Sequence, residues 1–236
     1  TSDGVSWSNP DILNSDASDS PSSRQYDRDQ APMLVSCSPS RWICVWPNIP
    51  MFRGHPVVDM VYISFSSTYA QSWTDQEMLW YVTWFRGVTS CIAMDSVGGW
   101  VAVSNNAGRI DVTHNTTSWA TYTTVFDIYT DAAHTSPCIA TDGQGLWVGG
   151  VTRNAGDKGV LILKSLNRGQ TWAAPQQLSP SSPGSVDEYD CHLVADADGC
   201  WLAAWTTNNP ATGGDEDIEW VGSVDGTTTW TPAVLL

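Results

Sequence analysis

Any chemistry in this chain rests on a few acidic and aromatic groups. Asp215, Glu216, Asp217 and Glu219 put four carboxylates within five residues, the start of an oxygen cage for calcium, which takes six to eight such ligands. Their spacing lacks the regular order of a calcium loop, so a charged hairpin loop is the competing reading. Asp16, Asp19, Asp27 and Asp29 are in the same position. Apart from calcium, no cofactor is indicated. The histidines His55, His114, His134 and His192 are scattered, with no pair at metal-ligand spacing. Glycine-rich phosphate loops, nucleophile elbows and zinc-spaced cysteines are absent. Trp80, Tyr81, Trp84 and Phe85 gather four rings. On a loop they would stack on sugar faces or against a neighbouring protein; on a strand continued to Val82, alternate rings would be buried.

These groups must be held by strands, and two recurring frames mark where the strands turn. Residues 165–172, SLNRGQTW, have counterparts at 66–73 (SSTYAQSW), 112–119 (VTHNTTSW) and 223–230 (SVDGTTTW), with half a frame, SDGVSW, at 2–7. Ser165, Asn167, Gly169, Thr171 and Trp172, matched by Ser223, Asp225, Thr229 and Trp230, define a tight turn. Asn or Asp accepts turn amides, Gly takes positive φ, Thr adds a hydroxyl and Trp packs beneath. The glycine of the last frame comes one position early, as Gly226. Val112 and His114 replace Ser and Asp before Trp119, and Thr68 and Ala70 replace Asp and Gly before Trp73. A second frame ends at Trp42, Trp100, Trp147 and Trp201, separated by 58, 47 and 54 residues. In the last three, Asp95, Asp142 and Asp196 fall in register, and Gly98, Gly145 and Gly199 precede the Trp by two. A period near 50 residues is that of one four-stranded propeller blade.

The frames at 165–172 and 223–230 resemble the Asp box, or BNR repeat, of sialidases and related propeller proteins, where it joins the third and fourth strands of a blade. The resemblance implies an all-β fold: a segment of a sialidase-type β-propeller. It also implies what catalysis would need. Sialidases hold the substrate carboxylate with an arginine triad and use a Tyr and Glu pair with an Asp acid. The early Arg-Ile-Pro of that family is missing; Ile49-Pro50 lacks the arginine, Arg53 follows three residues later, and no Arg recurs on an inner strand. Residues 187–190 (Asp187, Glu188, Tyr189, Asp190) are the place to look for a Tyr and Glu pair, yet neighbours on a strand point to opposite faces, and a solvated loop is the preferred reading.

Fourteen Trp against ten Lys plus Arg, with a net charge of −15, argue against a nucleic-acid partner, which requires clustered cations. The longest apolar run, residues 78–85, is too short to span a bilayer. Six cysteines, Cys37, Cys44, Cys91, Cys138, Cys191 and Cys200, allow fifteen full pairings. Cys91 and Cys138 occupy the same place in successive repeats, which favours small buried strand residues over partners. The sequon Asn115-Thr116-Thr117 on an expected turn marks a candidate glycosylation site and, with it, an extracellular location.

Alternation and turn signals divide the chain into blades at 32–79, 90–126, 137–178 and 191–236. Residues 1–13 read as an extra outer strand and 14–31 as an acidic loop between blades; His192 falls on an inner strand lining the channel. Four complete units and one spare strand point to a segment of a longer repeat protein, or to a strand that pairs with another copy. The expected function is a non-catalytic extracellular scaffold that binds carbohydrate or protein partners or self-assembles. The alternative is an exo-sialidase-type glycoside hydrolase with part of its active site elsewhere.

Overall fold

A computed structural model describes residues 25–29, 31–52, 55–56, 59–82, 89–106, 109–115, 120–130, 134–153, 159–179, 186–209 and 215–236. These residues form eighteen strands and no helix. No helix is long and apolar enough to cross a membrane among them. The strands build four antiparallel sheets, each from consecutive stretches of chain.

The first sheet holds β1 (Gln25–Asp29), β2 (Met33–Ser38), β3 (Arg41–Phe52), β4 (His55–Pro56), β5 (Asp59–Ser66) and β6 (Glu77–Val82). The second runs β7 (Ser90–Met94), β8 (Trp100–Asn106), β9 (Arg109–Asn115), β10 (Tyr122–Thr130). The third is β11 (His134–Thr141), β12 (Trp147–Arg153), β13 (Gly159–Ser165), β14 (Gln176–Gln177). The fourth is β15 (Glu188–Ala195), β16 (Trp201–Thr207), β17 (Asp217–Ser223), β18 (Val234–Leu235). In the last three, each strand pairs with the next in sequence, as short turns dictate.

The first sheet is larger than the repeat predicts. β3 is 12 residues long; its first half pairs with β2, and its second half with β1 through Gln25↔Phe52 to Asp29↔Asn48. Residues 25–29 are therefore a strand, not part of a loop covering 14–31. An extended β3 exposes backbone groups beyond β2 that a further strand satisfies. The spare strand expected at 1–13 lies outside the described residues.

Both recurring frames are turns wired by side chains. Asp95 Oδ1 accepts from Val97 and Gly99, Asp142 Oδ1 from Gln144, Gly145 and Leu146, and Asp196 Oδ1 from Asp198 and Cys200. These bonds join the first two strands of the second, third and fourth sheets. In the other frame, Ser165 Oγ accepts from Gly169 N–H at 2.9 Å and Asn167 Oδ1 from Thr171 N–H at 2.9 Å. Ser223 Oγ likewise accepts from Thr227 N–H at 3.0 Å, and Asp225 from the Thr229 amide and hydroxyl. Those bonds hold the Asp225 carboxyl low, at about 2, the Thr229 amide contributing most. In the first sheet Thr68 Oγ1 takes the role, accepting from Ser72 N–H at 2.9 Å.

The displaced glycine has a simple cause. Two consecutive residues have positive φ in each turn: Tyr69 and Ala70, Arg168 and Gly169, Gly226 and Thr227. Glycine relieves strain at either position, so Gly226 and Gly169 serve the same turn from adjacent places.

The second-sheet frame is corrected by register. Trp147 pairs with Ser165, Trp201 with Ser223 and Trp42 with Ser66. Val101 pairs with His114, which places Asn115, not Val112, opposite Trp100. Its Oδ1 accepts from Trp100 N–H at 2.9 Å and its Nδ2 donates to Gly98 O at 3.1 Å. Asn115 thus stands where the serines stand in the other sheets, and Val112 and His114 are strand residues.

Candidate functional site

Each sheet after the first seats one buried indole on a pair of apolar residues of the sheet before it. Trp100 packs in one cluster with Ile43 and Ile63, Trp147 with Val101 and Val112, Trp201 with Val148 and Ile162. These pairs occupy equivalent register positions, one residue after the preceding frame's Trp and three before its Ser or Asn. The indoles are 0, 0 and 3 % exposed. Polar contacts reinforce the two later junctions: Arg168 meets Asp95 at 3.5 Å, and Lys164 donates to Thr227 O. The turn that staples one hairpin therefore also clamps onto the preceding sheet. Trp172 and Trp230 are half-buried at the second–third and third–fourth junctions, respectively.

The fourth sheet repeats the receiving pair as Leu202 and Trp220, but none of the described residues seats an indole there. A cavity of about 470 Å³ lies over them, lined also by Val194, Val224 and Thr231. Leu202 is 41 % exposed and Val194 55 %.

The other face of the fourth sheet carries a buried acid. Glu188 is 1 % exposed, because β15 begins at this residue and directs it toward the third sheet, opposite Thr207. Burial pushes its carboxyl up to about 7, helped by the charge of Glu219 and opposed by hydrogen bonds from Ser179 and Val160. Glu188 Oε2 has no hydrogen-bond partner among the described residues. Glu219, also buried, is raised mainly by desolvation. The solvated loop expected at 187–190 is therefore corrected for Glu188, which is a core residue. Tyr189 leaves the strand on the opposite side and bonds Glu216, so its phenol is pushed up to about 12. The two do not form a Tyr and Glu pair.

The remaining expected site residues separate. Trp80 and Tyr81 continue β6, pairing with Val61 and Met60, which places them on a strand rather than a loop; Trp84 and Phe85 lie outside the described residues, as do Asp16, Asp19 and Trp119. Asn115 is 6 % exposed, with its side-chain oxygen and nitrogen engaged in the two bonds above, so a glycan on that nitrogen would have to displace the packing that buries it. No group of three or more His, Cys, Asp or Glu that could hold a metal occurs among the described residues; Asp217 and Glu219 sit on one strand facing inward, away from exposed Asp215 and Glu216. His192 is on β15 and exposed.

No protein-family model and no curated protein matches the sequence. Solved structures match its fold. A Hadza microbial sialidase superposes with a TM-score of 0.61 at 15 % identity, over 98 % of this chain and 50 % of its own. An ulvan lyase, a polysaccharide lyase, gives 0.63 at 10 % identity over 84 % of this chain and 53 % of its own. An α-L-arabinofuranosidase of Fusarium graminearum gives 0.59 at 10 %, over 88 % and 66 %. The fold is thus that of sialidases and related carbohydrate-active β-propellers. The chain spans about half the length of the sialidase it matches.

Proposed function

We propose that the chain is a four-blade portion of a sialidase-type propeller, working outside the cell as a non-catalytic scaffold for carbohydrate or protein partners. One observation carries this reading. The seating of an indole on the preceding sheet recurs three times, and among the described residues the fourth sheet presents the same receiving face unfilled. Such a face fits a further sheet of the same repeat, by continuity with the three filled junctions. The carbohydrate preference is drawn from the fold's sialidase, lyase and arabinofuranosidase neighbours, and fold alone does not transfer activity.

Glu188 favours a second reading, a glycoside hydrolase. A carboxyl that stays protonated near neutral pH is what a general acid requires, but full burial keeps it from substrate in this arrangement. Two assays on the purified chain decide between them: glycan-array binding and turnover of a fluorogenic sialoside. The scaffold reading expects glycan binding without turnover. Turnover abolished by Glu188→Gln, in a variant that still folds, would establish the hydrolase instead.

A further inference from the structure

The inner strands of the third and fourth sheets bring two thiols together. Cys138 on β11 and Cys191 on β15 face each other across the junction with their sulfurs 3.4 Å apart. They are 5 and 2 % exposed and share one apolar cluster with Val160, Ala203 and Trp205. The backbone is shaped around them. A Cβ on Gly150 would lie 2.6 Å from Cys138 Sγ and 3.0 Å from Cys191 Sγ, so the residue paired with Cys138 has no room for a side chain. On β15 a bulge between Tyr189 and His192 accompanies the positive φ of Asp190 just before Cys191. Without that irregularity, period-2 alternation would carry the thiol to a different face. Ser136, which holds the positive-φ position of the matching bulge on β11, donates to Asp190 at 3.0 Å and ties the two bulges together.

We propose that Cys138 and Cys191 form a disulfide that joins the third and fourth sheets at their inner strands. Two paired sulfurs need approach by only about 1.4 Å to reach bonding distance near 2.05 Å. The oxidant is a small disulfide such as oxidised glutathione. One cysteine loses its proton, and its thiolate attacks a glutathione sulfur, expelling one glutathione thiolate. The second cysteine, deprotonated in turn, attacks the protein-side sulfur and expels the other. Two electrons and two protons leave the cysteines, and two glutathione thiols are produced. Burial raises the Cys138 thiol well above its ordinary value, so exchange belongs to the stage before the sheets close. The bond then closes a loop spanning 53 residues, which includes β12, β13 and β14. Cys91, whose thiol is influenced by the charge of Cys191, is the competing partner.

The test refolds the whole chain in a buffer of reduced and oxidised glutathione, alkylates it under denaturing conditions and maps the peptides by mass spectrometry. The expected product is a peptide containing Cys138 linked to one containing Cys191, about 2 Da lighter than the two thiol peptides together, with Cys91 alkylated. A melting temperature about 5–15 °C above that of the reduced chain accompanies it, and Cys91→Ser retains both the link and the shift. Alkylation of both Cys138 and Cys191 in refolded chain, or a link from either to Cys91, overturns the assignment. Mapping of the unmutated chain decides the matter even if Cys138→Ser does not fold.

Discussion

The two faces of the fourth sheet were built by the same strands and ended differently. Along β16, Trp201, Ala203, Trp205 and Thr207 are buried, while Leu202 is exposed and Ala204 and Thr206 are half-buried. The matching strand of the third sheet, β12, is buried at six consecutive residues, on both faces. Its sequence, WVGGVTR, and that of β16, WLAAWTT, are both nearly continuous apolar runs at their start. Such a run is the signature of a strand covered on both sides. β16 therefore has the composition of an interior strand and the exposure of an outer one, and the difference lies in what the described residues place against each strand rather than in its own residues.

The sharpest way to break this comparison is to substitute adjacent residues on opposite faces. Trp201→Ala empties a seat that is 3 % exposed and should cost about 3–5 kcal/mol in urea unfolding. If it cost under about 1 kcal/mol, a surface-like effect, the third and fourth sheets would not be packed as described. Gly150→Ala comes next. Its Cβ meets two sulfurs and a leucine methyl at 3.0 Å or less, and overpacking of this kind costs about 1–3 kcal/mol. Ala204, the register counterpart of Gly150 on the open face, already carries a Cβ without penalty.

Glu188→Gln sharpens the comparison through pH. The folded carboxyl titrates at about 7 against an ordinary value of 4.5, so ionisation opposes folding. The cost is absent below the unfolded value, grows as pH rises from there through about 7 and is complete above it. The variant should match the natural chain near pH 4 and be more stable at pH 8 by about 1–2 kcal/mol after screening is discounted. Equal stability at both pH values would contradict the burial. The smallest effect belongs to Leu202→Ala on the open face, within about 0.5 kcal/mol in the same unfolding assay; a loss like that of Trp201→Ala would mean the face is already covered.

Much of this was legible from residue order, since turns are local. The serines at 66, 165 and 223 and the acids at 95, 142 and 196 mark hairpin ends because each accepts from amides within four residues, and the Trp residues paired with those serines mark them by recurrence. What eluded the sequence is non-local. Asn115 replaces a serine in a frame whose length differs, and only pairing of Val101 with His114 reveals it. Glu188 reads as a loop acid in the string DEYD; its burial depends on the third sheet lying against it. β1 depends on the length of β3, and the meeting of Cys138 with Cys191 on a bulge that moves one sulfur across the strand. Trp80 and Tyr81 join β6 because β5 extends far enough to pair with them.

The central claim is that the fourth sheet has one sealed face and one receiving face, and hydroxyl-radical footprinting resolved by residue tests it most directly. The account predicts that Trp201 and Trp205 stay unmodified in dilute purified chain while Leu202, Val194 and Trp220 react, each rate being scaled by the side chain's intrinsic reactivity. Equal modification of Trp201 and Leu202, or protection of both at every concentration, would contradict it.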